Sequence, residues 1–202
     1  MRARPLRIEG AFEFTAKQFH DERGYFTTPF QGETFTSVVG RTPFPIRQTS
    51  HNFSVRAGVL RGIHYTATPP GGAKYVHCPR GRVLDFQVDL RVGSPTFGVT
   101  DSVVLDETNG KAVYCPVGVG HGSVVLTADT VMMYLLSQEY VPAYELAISP
   151  LDPALALPLP PDLELLMSPR DTAAVTLAEA REQGALPDYQ TCLALDQALE
   201  TV

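Results

Sequence analysis

Three short stretches of the chain carry side chains able to move protons. Gly58-Val59-Leu60-Arg61-Gly62-Ile63-His64-Tyr65 sets a histidine near the end of a strand-like run. An imidazole titrates close to neutrality, which suits His64, in the mouth of a barrel, to take a proton from a carbon beside a carbonyl. If that strand is regular, alternation sends Leu60, Gly62 and His64 to one side and Arg61, Ile63 and Tyr65 to the other. The second stretch, Pro116 to Gly122, brackets His121 with glycines on a turn between two β-like runs. Glycine there permits close approach to a ligand, or merely makes a tight turn. The third, Met133 to Tyr140, puts the phenol of Tyr134 in an apolar strand, where it either packs or donates a proton. Taken singly, each of these side chains is more often structural than catalytic.

A β scaffold must position them. Val83 to Leu90 nearly alternates apolar with polar residues, the pattern of a strand with one wet face. Similar runs occur at Gly98–Leu105, Ala112–Cys115, Ser123–Thr127 and Val131–Ser137, divided by turn signals such as Arg80-Gly81 and Thr108-Asn109-Gly110. Many short strands at near-regular spacing predict a sandwich or barrel. Pro150 to Pro161 reads as an extended, packed arm. Beyond it, Thr172 to Gln183 is expected to be one appended helix, with Thr172 as N-cap and Gly184 at its stop. The expected architecture is therefore mainly β: a barrel with an extended arm and a C-terminal helix.

Composition narrows the partners. A chain of 202 residues fits one domain spanning residues 1–202, large enough for a real core. A net charge of -6 with no basic run argues against nucleic acid or an anionic membrane, so an anionic ligand must be held by a few placed Arg and Lys. Met1 to Gly10 lacks an apolar signal core and no later stretch approaches the ~18 apolar residues of a membrane span, which predicts a cytoplasmic protein. Cys78, Cys115 and Cys192 are odd in number and far apart, as buried reduced thiols would be. A metal-binding barrel would place two histidines on one strand face, but His64 is followed by Tyr65-Thr66, and His77 and His121 stand in unrelated contexts. No metal and no cofactor are expected.

Read together, Gly58–Tyr65, Lys74-Tyr75-Val76, Gly81, Asp85, Asp89-Leu90-Arg91, Ser94–Gly98 and Pro116–Gly122 strongly resemble the dTDP-4-dehydrorhamnose 3,5-epimerase family of cupin-like barrels. The likeness runs from about Phe19 to about Asp171, roughly three quarters of the chain. The resemblance implies a cofactor-independent isomerase. In it His64 is the general base, Asp171 the carboxylate that holds this histidine, Tyr134 the acid on the other face of the sugar, and Lys74 the cation beside the C4 oxygen. It further implies Arg23 and Arg61 as diphosphate contacts, with Arg170 standing where the family often has lysine. His121 would contact sugar or phosphate, and Phe26 and Tyr140 would flank the ligand. A homodimer formed by N-terminal strand exchange is also implied. Thr66, Thr28 and Leu135 depart from the family's usual Gln, Glu and Lys. These departures point to members that invert a single centre, and the chain is similar to the C3-only enzymes that make dTDP-4-dehydro-6-deoxy-D-allose for macrolide sugars. Inversion at C5 or at both centres, a metal-dependent cupin, and a non-catalytic nucleotide-sugar binder are the alternatives.

Overall fold

The structure is a computed structural model and describes residues 1–199. Residues 200–202, the end of the expected domain, lie outside the described residues. The chain opens with β1 (Arg2–Pro5), β2 (Phe12–Thr15), β3 (Gln18–Asp21), β4 (Gly24–Thr27) and helix α1 (Gly32–Val39). Then come β5 (Gln48–Ser54), β6 (Leu60–Thr66), β7 (Lys74–Arg80), β8 (Arg82–Asp89), β9 (Thr100–Asp106) and β10 (Lys111–Cys115). The chain continues through β11 (Val119–Val125), β12 (Thr130–Leu136), β13 (Glu145–Ala147), α2 (Pro169–Thr172), α3 (Leu177–Glu182) and α4 (Tyr189–Ala198).

Two antiparallel sheets face each other in a cupin-like barrel, in the orders β1-β2-β10-β7-β12-β5 and β13-β6-β11-β8-β9. Apolar side chains from both fill one end of the space between them, among them Val76, Val83, Leu105, Val113, Val119 and Met132. The outer faces are covered too. Leu60, Ile63, Phe86, Val88 and Leu90 point away from the barrel interior and bury beneath the arm, packing with Leu157, Leu159 and Leu165. On the other sheet Phe14, Tyr75 and Tyr114 pack with Phe35 of α1 and Cys192 of α4. Cys78, Cys115 and Cys192 are free and buried.

Double covering inverts one expectation. The polar positions of β8 face no water: Asp85, Gln87 and Asp89 are each 0% exposed and point between the sheets, while the apolar positions lie under the arm. A buried carboxylate must be paired. Asp89 is, through Arg91 Nε at 2.8 Å and Ser94 and Thr96 hydroxyls at 2.6 Å.

The C-terminal part also departs from the single expected helix. Thr172 belongs to α2, its hydroxyl donating to the Ser168 carbonyl. The N-cap of the next helix is Thr176, whose side chain accepts from the Glu179 N–H while Glu179 bonds back, a capping box. Helices α1 and α4 were not expected from the sequence. No helix among the described residues is long and apolar enough to cross a membrane.

Strand β6 is not regular. His64 pairs with His121 and Arg61 with Ser123, so β6 spends three residue steps where β11 spends two. This bulge centres on Gly62, whose φ is +106°. It corrects the expected alternation: Arg61 and His64 now share the inner face, and Leu60, Ile63 and Tyr65 the outer one. A Cβ at Gly62 would sit 2.6 Å from both Gly122 Cα and the His121 carbonyl oxygen, atoms of a paired backbone that cannot yield. Gly62→Ala should therefore cost about 3 kcal/mol or more, from the strained φ together with the clash. Denaturant unfolding is the check, and a loss under about 1 kcal/mol would mean that the bulge tolerates a side chain.

Candidate active site

Between the sheets, opposite the apolar end, lies a cavity of about 470 Å³. Arg61, His64 and Thr66 reach it from β6, Lys74 from β7, His121 and Ser123 from β11, and Tyr134 from β12. Gln48, Ser50 and Asn52 reach it from β5, with Tyr140, Glu145 and Arg170 at its edge.

His64 Nε2 lies 2.6 Å from Asp171 Oδ1. The carboxylate is buried and the ring partly open, with side-chain exposures of 3% and 29%. Asp171 is set by local sequence: Ser168 caps α2, its hydroxyl accepting from the Asp171 N–H at 3.1 Å, and Pro169 opens the helix. Burial pushes the Asp171 carboxyl up, but the bond to His64, the charge of that ring, Ser168 and Arg170 together hold it below its usual value. It is therefore ionised at neutral pH. With Nε2 committed to Asp171, Nδ1 makes no hydrogen bond to a described residue and is the ring atom left to act as a base.

A folded-state pKa below the unfolded value near ~3.9 means that ionised Asp171 stabilises the fold above that pH and loses the contribution as pH falls through the lowered value. Asp171→Asn should then lower stability at pH 7 by about 2 kcal/mol and flatten its decline below about pH 4. Thermal denaturation across pH 2–7 tests this, and parallel curves for the two proteins would contradict it.

A second pair faces the first across the β6–β11 ladder. His121, paired in register with His64, places Nε2 2.7 Å from Asp85 Oδ2. Burial raises the Asp85 pKa, opposed by His121 and the Gln87 amide. His121 stands inside strand β11, not on a turn as expected, and is 5% exposed. Its flanking glycines make room for a neighbour: a Cβ at Gly120 or Gly122 would fall 2.5 or 2.7 Å from the Ile63 side chain.

Tyr134 comes from the opposite sheet, its ring edge-on to His121 at 5.8 Å, its hydroxyl accepting from Asn52 Nδ2 at 2.8 Å. Burial and the nearby Asp85 charge raise the phenol well above its usual pKa, so it stays protonated. Lys74 Nζ donates to the His64 carbonyl at 3.2 Å. Burial lowers its pKa, and Glu145, which itself accepts from Thr66 at 2.7 Å, works against that shift. An ammonium of lowered pKa is a better donor to a developing oxyanion.

The cavity thus gathers His64, Lys74, Tyr134, Arg61, His121, Arg170 and Tyr140, with Asp171 behind His64. Arg23 and Phe26 are not among them. They lie on the β3–β4 hairpin, Arg23 paired with Asp21 at 2.6 Å and Phe26 70% exposed. Asp85, Asn52 and Glu145 are site residues for which sequence reasoning had assigned no role. The described residues contain no cluster of three or more His, Cys, Asp or Glu able to hold a metal.

A family model described as dTDP-4-dehydrorhamnose 3,5-epimerase matches residues 5–179. The chain belongs to that family. Its members are isomerases of the epimerase class, and the match reaches further into both termini than the motifs alone. The chain is 48% identical over 195 residues to a dTDP-4-dehydrorhamnose 3-epimerase of Streptomyces niveus, covering 96% of this chain and 93% of that one. It is 43% identical over 199 residues to a dTDP-4-dehydrorhamnose 3,5-epimerase of Mycolicibacterium smegmatis, covering 98% and 97%. Among solved structures, ChmJ, a 3'-monoepimerase from Streptomyces bikiniensis in complex with dTDP-quinovose, superposes with a TM-score of 0.91 at 44% identity, covering 98% of this chain and 99% of that one.

Proposed function

We propose that this epimerase inverts C3 of dTDP-4-dehydro-6-deoxy-D-glucose to give dTDP-4-dehydro-6-deoxy-D-allose, within the biosynthesis of an antibiotic deoxysugar of the macrolide type. The observation that carries the reading is the ionised Asp171 behind His64, in a cavity whose other sheet presents a protonated phenol. His64 removes the C3 proton, and the electron pair moves into the C3–C4 bond and onto the C4 oxygen. A carbon acid beside a ketone is far weaker than imidazolium, so the enolate must be lowered by fixed donors, each worth about 3–4 kcal/mol. Lys74 supplies that donor. Tyr134 then protonates C3 from the opposite face, completing inversion without metal or cofactor.

Arg61, Arg170 and His121 hold the diphosphate and sugar, guanidinium forks being suited to phosphate oxygens. Tyr140, 55% exposed at the rim, flanks the ligand. Arg23 and Phe26, exposed on their hairpin, complete the site in a homodimer, where strand exchange carries them to the partner's cavity. The whole chain acts as one cytoplasmic catalytic domain. The Streptomyces relative named for a 3-epimerase and the monoepimerase structure favour a single centre, and the mycobacterial relative named for a 3,5-epimerase supplies the second reading.

Proton NMR in D₂O with dTDP-4-dehydro-6-deoxy-D-glucose and a chelator is the test. Deuterium at C3 with the allo configuration and an intact C5–H is expected. Deuterium at both carbons would establish the 3,5 reading, and none at either would end the epimerase assignment.

A further inference from the structure

Asn52 reaches the cavity from a strand with no apolar periodicity, and it makes one specific contact, Nδ2 to the Tyr134 hydroxyl at 2.8 Å. A phenol is both donor and acceptor, and what its oxygen accepts decides what its proton is free to do. With an amide N–H on that oxygen, the O–H need not be spent inside the protein. No described residue accepts it, so it is available to a ligand in the cavity. The same amide N–H helps after transfer. When the phenol gives up its proton it becomes a phenolate in a dry site, and a preset donor on the oxygen lowers the energy of that anion. No other described side chain across the cavity donates to this oxygen. His121 meets the Tyr134 ring by its edge and binds Asp85, and Lys74 bonds to the His64 carbonyl.

We propose that Asn52 is the positioning residue of the acid: its amide holds the Tyr134 oxygen as an acceptor, turns the phenol's proton toward the sugar and stabilises the phenolate left behind. The inference rests on the epimerase reading above. It gives Asn52 control of one half-reaction only. Proton removal by His64, and return of a proton by His64 to the same face, do not pass through Tyr134, whereas inversion does.

The partition between exchange with retention and inversion is therefore the readout, followed at C3 by NMR in D₂O with dTDP-4-dehydro-6-deoxy-D-glucose. Asn52→Asp is isosteric but replaces the donor by a carboxylate that accepts the phenol's proton. It should lower inversion relative to exchange by about tenfold or more. Asn52→Leu removes the donor without offering an acceptor and should shift the partition the same way, by less. Asn52→Ser restores a small donor and should recover part of the inversion. Circular dichroism of each variant separates folding from chemistry, and the partition is read from whichever variants fold. An unchanged ratio in any folded Asp or Leu variant would overturn the role of Asn52. Absence of all exchange in the wild-type protein would instead overturn the epimerase reading.

Discussion

His64→Asn is expected to abolish deuterium incorporation at C3 and to lower kcat by about 1,000-fold or more, the contribution of a positioned general base. Asparagine is polar but shorter than the ring: its amide overlays the Nδ1 edge, so the Nε2 bond to Asp171, 2.6 Å in the wild type, goes with the imidazole. What is lost is the ring nitrogen that takes the C3 proton. Asp171 cannot substitute. It is buried, held below the usual carboxylate range, and lies behind the ring. A folded protein of somewhat lower melting temperature with no exchange is the expected outcome, and retained exchange in a folded His64→Asn protein would remove this residue as the base.

Tyr134→Phe should separate the two proton transfers. Burial and the Asp85 charge keep the phenol protonated through the physiological range, so in the wild type it enters each cycle as an acid. Phenylalanine keeps the edge contact with His121 but has no proton to give and leaves the Asn52 amide without its acceptor. Inversion should fall by about 100- to 10,000-fold while C3 exchange with retention persists through His64. Product analysis by NMR, with exchange and inversion counted on the same sample, distinguishes this from a general loss of activity. Inversion at the wild-type rate would show that a water delivers the second proton.

Both results depend on a base and an acid facing one another from different sheets, and the two were unequally visible in the chain. His64 stands in a motif whose residue order resembles a family, and the same resemblance implies Asp171, whose carboxylate the structure sets at the start of α2 behind the Ser168 cap. Both were visible through residue order along the chain. Asn52 gave no such signal. Strand β5 alternates inward and outward, but neither face is an apolar row: Gln48, Ser50 and Asn52 line the cavity, and Thr49, His51 and Phe53 lie on the more exposed face of an edge strand. Hydrophobic periodicity is blind to such a strand. In β8 the periodicity was legible and its meaning reversed: the polar row at Asp85 and Asp89 faces the interior because the arm and α3 cover what would otherwise be the buried side.

The sequence by itself determined that the chain is mainly β, that its cysteines are buried thiols, and that two histidines and one tyrosine were worth attention. Residue type and short-range spacing encode those properties directly. Only the tertiary structure decided which face of each strand points inward, that the bulge at Gly62 brings Arg61 and His64 to one side, that Asp85 pairs with His121, and that Asn52 meets Tyr134. The reason is physical. Each of these depends on contacts between strands distant along the chain, and a one-residue bulge or a covering arm reverses the side to which a period-two pattern points without altering the pattern.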